Sequence, residues 1–442
     1  MTSADTIVAP ATSTGGAIAI VRIEGPEAIA IADRLFSSKR GSLGEMAGYT
    51  MCHGIVHEEG RRIDDVMLSL YRAPHSYTGG DMVEIACHGS AYIVGEIVRI
   101  AIEKGARMAT PGEFTKRAFL AGKIDLSQAE AVADIIAADS RASLTLADTQ
   151  MRGGYSASLG ELRGELVRLA SLLELELDFG EEDVEFADRG ELTLLLHKVE
   201  NEIKRLITSF STGNAIKKGV AVAIVGEPNV GKSTLLNRIV GEERAMVSDI
   251  AGTTRDTIEE SVVMDGVTFR FIDTAGLHDT GDRLESMGIE RTRKAVTKAN
   301  IVVEMFDSVG EDVVTIAEGQ HIIRVINKID LRRHCTIPDG WLALSAKEGE
   351  GVDKLLNALR SCVDTGDVMR GETVVSNSRH YEALRRALES LVRAEESLQM
   401  GISTDLVAQD IHGVLDAVGE ITGQVTNSEI LARIFSEFCI GK

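Results

Sequence analysis

GEPNVGKST, residues Gly226 to Thr234, is the stretch around which the rest of the chain is organised. The apolar run VAVAIV (Val220 to Val225) leads into it and LLNRIV (Leu235 to Val240) leaves it, giving the strand, glycine loop, helix order of a phosphate-binding loop. Glycines let backbone N–H groups turn inward onto phosphate oxygens, Lys232 adds a point charge, and Ser233 offers a hydroxyl to Mg²⁺. Asn229, Val230, Gly231 and Thr234 complete the loop, whose ligand on these residues alone is a nucleoside triphosphate.

Further signals follow in a fixed order. Ser248, Asp249, Ile250, Ala251, Gly252, Thr253 and Thr254 form a polar, glycine-containing segment in which Thr254 is the candidate hydroxyl that closes on Mg²⁺ when a third phosphate is present. TFRFIDTAG reads as a strand ending in Asp273, placed to act on the Mg²⁺ shell. Thr274 and Ala275 then lead to Gly276, free to turn its N–H toward the terminal phosphate. HIIRVINKID is a strand ending in Asn327, Lys328 and Asp330, and WLALSAKEG another ending in Ser345, Ala346 and Lys347. Asp330 selects the base: a carboxylate accepts from the N1–H and exocyclic amine of guanine, whereas adenine would leave it unpaired. Asn327, Lys328 and the Ser345 to Lys347 turn would wall and support the base. The triphosphate is therefore read as GTP. Where the best-known small GTPases carry a water-orienting glutamine, this chain has Leu277, which cannot orient water. Asp279, Asp282, Glu285 and Glu290 are the acidic candidates downstream, and spacing does not choose among them.

A chain of 442 residues, 44% hydrophobic, has the length of about three domains and enough apolar residues to bury their cores. No run of eighteen apolar residues occurs and MTSADTIVAP lacks signal-peptide character, so a soluble, non-exported protein with no membrane role is expected. Five cysteines (Cys52, Cys87, Cys335, Cys362, Cys439) without metal or disulfide spacing point to a reducing, cytoplasmic compartment. A net charge of −21 disfavours general nucleic-acid affinity, so a nucleic-acid substrate would need a local basic patch or a partner protein.

Upstream of the loop, AIAIVRIEG, DDVMLSLYRAP and MVEIACHG read as strands and PEAIAIADRLF and SAYIVGEIVRIAIEKG as helices, an α+β pattern. A helical segment begins near Phe119 and runs to about Ser211. In it Leu159, Leu162, Leu166, Leu169 and Leu173 form one stripe. The acidic FGEEDVEF that follows reads as a solvated turn, because the residue order of a calcium loop is absent. Strand, loop, helix alternation runs from about Ile216 to Val363. From Asn377 the chain is helical again, with stripes at Leu384, Leu388, Leu391 and at Ile411, Val414, Val418, Ile421. Two flanking sets of helices that each need a partner imply an α/β domain inserted into a helical one, with Asn377 onward packing on Phe119 to Ser211.

DTIVA, SYTGGDMVEIACHG, TPGEFTKRAFLAGKIDLSQAEAVADII and the terminal FCIGK, together with the GTPase motifs, resemble the MnmE family of bacterial tRNA-modifying GTPases over essentially the whole chain. The resemblance implies a multidomain fold: an N-terminal α+β domain (1–118) that dimerises and binds folate, a discontinuous all-α helical domain (119–211 and 377–442), and an inserted α/β P-loop GTPase domain (216–370). It implies a K⁺ ion held by Asn229, Ser248, Ile250 and Thr253, Mg²⁺ at Ser233 and Thr254, and GTP hydrolysed as the G domains of a homodimer meet. The family's water-positioning glutamate falls on Glu285. For a tetrahydrofolate derivative, 5-formyl or 5,10-methylene, the matching positions are Arg22, Glu84, Lys123 and Lys442. Read alone, Arg22 and Lys123 would be ordinary surface charges. Cys439 is a possible contributor to chemistry, with a buried inert thiol as the equal alternative; a prenylation box fits Gly441 and Lys442 poorly. The family works with the flavoprotein MnmG, which carries FAD, as a heterotetramer that installs an aminomethyl-type group on C5 of the tRNA wobble uridine. Two other readings remain open at this point: a GTP-driven assembly factor, and a folate enzyme with a regulatory GTPase domain.

Overall fold

The structure, a computed structural model, describes residues 5–178, 189–243, 260–272, 293–310, 314–317, 319–331, 337–426, 428–436 and 438–442. Ser248 to Thr254, Asp273 to Leu277, Asp279, Asp282, Glu285, Glu290, the acidic FGEEDVEF stretch and Cys335 lie outside the described residues. By contact the chain forms two compact units, Met1–Ala133 with Gly419–Lys442, and Asp134–Val418.

The first unit is built on a seven-stranded sheet of order β3-β4-β5-β6-β2-β1-β7. Its strands are β1 (Ile7–Pro10), β2 (Ile18–Glu24), β3 (Phe36–Ser37), β4 (Thr50–Glu58), β5 (Arg61–Tyr71), β6 (Met82–His88) and β7 (Arg107–Met108). Alternation does the folding work here: Val66, Leu68 and Leu70 of β5 and Val83, Ile85 and Cys87 of β6 point into one core. Helices α1 (Ala28–Leu35) and α2 (Ala91–Glu103) close that core with residues at helical spacing, Ile31 and Leu35 from one and Val94, Ile97 and Ala101 from the other. Helix α3 (Glu113–Leu120) opens earlier than Phe119, the position at which the sequence pattern changes. Its Arg117 is buried and pairs with Glu24 of β2 at 2.6 Å and Asp5 at 2.9 Å. Burial alone would raise Glu113, but Arg107, the Thr110 backbone and Arg117 hold its carboxyl down at about 2. C-terminal residues complete this unit, with Phe435 and Phe438 packing on Phe119, Leu126 and Ala129.

The second unit contains a six-stranded sheet of order β13-β12-β11-β8-β10-β9. These strands are β8 (Val220–Gly226), β9 (Glu260–Met264), β10 (Val267–Ile272), β11 (Ile301–Phe306), β12 (His321–Ile326) and β13 (Leu342–Ala343). All pair in parallel except β9 with β10. Strand β8 is apolar throughout because both of its faces are covered. Val220, Val222 and Ile224 face α8 (Lys232–Glu243) and α10 (Val352–Ser361), while Ala223 and Val225 face α9 (residues 293–298). The WLALSAKEG strand shrinks to two residues, and its Ser-Ala-Lys portion lies past the strand's end.

The remaining helices are α4 (Leu126–Ala137), α5 (Arg141–Met151), α6 (Gly154–Asp178), α7 (Arg189–Lys218), α11 (Gly366–Met369), α12 (Ser378–Gln399), α13 (Thr404–Thr422) and α14 (Ser428–Ser436), the last in the first unit. The stripe Leu159, Leu162, Leu166, Leu169 and Leu173 of α6 is buried, each side chain contributing roughly 1.5–3 kcal/mol of transfer free energy. Leu384 and Leu391 of α12 are buried against α7, with Leu388 half-buried at their edge. On α13, Ile411, Val414, Val418 and Ile421 are all buried. Polar contacts tie helix to helix across the outer faces, His197 Nε2 to Glu395 Oε1 at 2.9 Å and His412 Nε2 to Glu174 Oε1 at 3.1 Å.

Candidate nucleotide site and a second polar cluster

In an open parallel sheet, ligands bind beyond the carboxyl ends of the strands, where neighbouring connections leave in opposite directions. Strand β8 sits between β10 and β11 and ends at such a point. Gly226 has φ +147°, and a Cβ there would lie 2.3 Å from the Met305 carbonyl of β11, so only glycine lets the loop leave the sheet. Asn229 follows in the left-handed region at φ 64°, which asparagine tolerates better than most residues. Lys232, Ser233 and Thr234 open α8, whose first N–H groups have no partner within the helix and favour an anion.

Asn327 organises the site. It is 3% exposed, its Nδ2 donates to the Val230 carbonyl at 2.7 Å, and its Oδ1 accepts from the Ala346 amide at 2.9 Å. One buried amide thus ties the phosphate loop, the Asn-Lys-x-Asp turn and the Ser-Ala-Lys turn together. Lys328, at φ 63°, donates from Nζ to the Asn229 carbonyl at 2.7 Å. The buried Ser345 hydroxyl donates to Asp330 Oδ1 at 2.6 Å, which fixes the carboxylate and leaves Oδ2 for a base edge. Lys347 is exposed at the rim.

Lys232 donates from Nζ to the carbonyls of Gly226 at 2.8 Å and Glu227 at 2.9 Å, and burial pushes its pKa down. A partly desolvated cation held against the loop is the residue expected to meet phosphate oxygens. Of the expected Mg²⁺ pair, Ser233 is the described member; of the expected K⁺ set, Asn229 is. Ser233 is half-buried at the start of α8 and Asn229 is exposed, so both fit ions shared with phosphate oxygens in place of an all-protein cage.

Sequence reasoning missed Arg238. From α8 it donates to the carbonyls of Ala346 and Lys347 and anchors the Ser-Ala-Lys turn to the helix that follows the phosphate loop. Its signal in the sequence is nothing more than a half-buried arginine in a helix, too common to single out.

The first unit brings together three of the four positions matched to folate. Arg22 of β2 and Glu84 of β6 are register partners, and the Arg22 Nε and Nη2 atoms lie 2.9 and 2.7 Å from Glu84 Oε1. Arg22 Nη1 also donates to the Gly441 carbonyl at 3.2 Å, next to Lys442. Glu84 Oε2 keeps one long contact, the Tyr71 hydroxyl at 3.4 Å, and so has acceptor capacity for a ring N–H. Tyr77 and Phe114 flank the Arg22 guanidinium at 5.8 and 5.3 Å, two aromatic neighbours that sequence reading did not supply. Lys123 is exposed beside Gly79. Cys439 is exposed, which corrects the alternative of a buried inert thiol. Among the described residues no helix is long and apolar enough to cross a membrane, and no cluster of three or more His, Cys, Asp or Glu is placed to hold a metal ion.

The family model described as the GTP-binding protein TrmE N-terminus matches residues 6–123, and that of the MnmE helical domain matches residues 126–439. The chain is 48% identical to the tRNA modification GTPase MnmE of Flavobacterium johnsoniae, over 100% of both chains. It is 47% identical to the protein of the same name from Bacteroides thetaiotaomicron, over 99% of both. Among solved structures it is similar to Aquifex aeolicus Era bound to GDP.AlF4-, with 23% identity, 38% of this chain and 65% of that one covered, and a TM-score of 0.24. For the G domain of the T. maritima FeoB iron transporter the figures are 24% identity, 33% and 99% coverage, and a TM-score of 0.22. Near-half identity along the full length of both chains, and a helical-domain match spanning most of this one, place the chain in the MnmE family of tRNA modification GTPases.

Proposed function

We propose that this chain hydrolyses GTP and uses the hydrolysis in tRNA modification, working with the flavoprotein MnmG on C5 of the wobble uridine. The observation that carries the GTP half is the Asn327 bridge, which holds a phosphate loop and a guanine-reading Asp330 in one frame. Asp330 accepts from the N1–H and amine of the base. Lys232 neutralises phosphate charge, and the α8 N–H groups orient the phosphate chain. Glu285 is the proposed water-positioning residue, on the strength of the family resemblance. When bound, K⁺ and Mg²⁺ supply positive charge at the phosphates and a tetrahydrofolate derivative supplies one carbon, with flavin redox chemistry left to the FAD of MnmG. Asn229 and Ser233 would hold the ions with Ser248, Ile250, Thr253 and Thr254, while Arg22, Glu84, Lys123 and Lys442 would hold folate.

The domain plan that accompanies this reading has residues 1–118 for dimerisation and folate, 119–211 with 377–442 as the helical domain, and 216–370 as the G domain. It places the protein in the cytoplasm as a homodimer, and assigns the basic surface for tRNA largely to MnmG. That assignment would account for the net charge of −21.

GTP turnover is expected to be faster in K⁺ than in Na⁺, because a site of fixed carbonyls selects an ion by size and field strength. Equal rates in the two salts, measured on the purified chain, would remove Asn229 from an ion site. Glu285→Ala is expected to retain GTP binding and lose turnover by about 100-fold or more, as a group that acts only in the transition state should. A collapse of GTP affinity in that variant would make Glu285 structural.

A further inference from the structure

Strands β9 and β10 form a hairpin whose two-residue turn, Asp265 and Gly266, has φ values of 50° and 79°, the primed geometry that matches strand twist. Asp265 is exposed, but the Gly266 side of the turn is covered by the start of α5. The Ala142 amide, one of the first-turn N–H groups of α5 that have no acceptor within the helix, donates to the Gly266 carbonyl at 2.8 Å. Just before α5, Asp139 Oδ1 accepts from the hydroxyl of Thr268, a residue only 2% exposed, at 2.7 Å. A Cβ on Gly266 would approach the Arg141 Cβ to 3.1 Å, so the turn and the helix start are in close contact. Ser140 and Ser143 cap α5 reciprocally, which makes its N-terminus a fixed post. Behind that post, Ala142 and Leu146 lie in the same apolar core as β8 and β10, joined there by Ala215 and Ile216 of α7. Arg360 of α10 holds the other side of the turn through Asp265 at 3.3 Å.

The hairpin's position in the chain gives this contact its meaning. Its strands connect the Ser248 to Thr254 segment to Asp273 to Gly276, the two stretches whose residue chemistry addresses the third phosphate and Mg²⁺. Strand β10 also pairs in parallel with β8, which leads into the phosphate loop. Any shift of the hairpin along β8 must carry α5 with it or break the Ala142 and Asp139 hydrogen bonds. Helix α5 packs in turn on α6 and α7.

We propose that the N-terminus of α5 is the joint that passes the nucleotide state of the β9–β10 hairpin to the helical bundle, with Asp139 and Thr268 as its positioning residues. The proposal rests on the GTPase reading and adds the route by which hydrolysis reaches the rest of the molecule. Amide hydrogen exchange of the full chain, loaded with GDP or with a non-hydrolysable GTP analogue, tests it without any substitution. Exchange at Ala142 is expected to differ by about fivefold or more between the two states. Equal exchange in a chain that turns over GTP would overturn the joint while leaving the GTPase reading intact. A chain that does not turn over GTP fails the GTPase reading instead. The double variant Asp139→Ala with Thr268→Val removes both polar partners at nearly constant volume at the buried position. It should keep GTP turnover within about twofold and lower tRNA wobble modification by about tenfold or more. Thr268→Ser, which keeps the hydroxyl, should retain modification. Wild-type modification in the double variant, or GTP turnover that falls in step with modification, would overturn the proposal.

Discussion

Gly231→Ala should lower GTP affinity by about 100-fold or more, equivalent to roughly 2.7 kcal/mol. Two independent costs combine at this position. Gly231 sits at φ +107°, where an L side chain carries strain of roughly 1–3 kcal/mol. A Cβ there would also lie 2.3 Å from Asn327 Nδ2, and this side chain cannot simply swing away. Its two hydrogen bonds to Val230 and Ala346 hold the phosphate loop and the base turn in register, and displacing it leaves buried polar atoms unpaired. Gly241→Ala, in the same α8 region with no neighbour within 4 Å and no left-handed backbone, is the matched control and should bind as wild type does. Titration with a fluorescent GTP analogue reads both. Wild-type affinity in Gly231→Ala would mean that this loop does not hold the phosphates.

Asp330→Asn should exchange the preferred base. The Ser345 hydroxyl holds one carboxylate oxygen at 2.6 Å, and an asparagine keeping its oxygen on Ser345 would present an NH2 where the guanine donors arrive. Two donors then face two donors. GTP affinity is expected to fall by about 10³-fold or more, in line with sites built to hydrogen-bond a substrate group, and xanthosine triphosphate should bind in its place. Competition between the two nucleotides measures the exchange. Retained guanine preference would show that another residue reads the base.

These substitutions also separate what the amino-acid sequence makes legible from what it conceals. The phosphate loop is legible because its requirements are local: an apolar strand, glycines at positions that need unusual backbone, and a helix start within nine residues, Gly226 to Thr234. The leucine stripe of α6 is legible for the same reason, since helical spacing forces one face inward. Contacts set by register across distant strands are not. Arg22 and Glu84 read as separate charges in sequence, yet the β2–β6 register makes them direct partners. The Asn327 bridge joins residues that lie 97 positions apart on one side and 19 on the other, and no periodicity reports it. Strand β4 escaped notice because Gly54 and two histidines dilute its alternation, although Cys52 and Val56 are buried at the expected spacing. The grasp of the Asp265–Gly266 turn by α5 was likewise invisible, because Asp-Gly signals a hairpin but not what covers it.

GTP hydrolysis by this chain is proposed to serve tRNA modification. Its most direct test is a nucleoside digest of tRNA from cells that lack this chain, complemented by the wild-type gene or by Gly231→Ala. Loss of the C5-modified wobble uridine, restored by wild type and not by Gly231→Ala, is the predicted result. An unchanged digest in cells lacking the chain would contradict it.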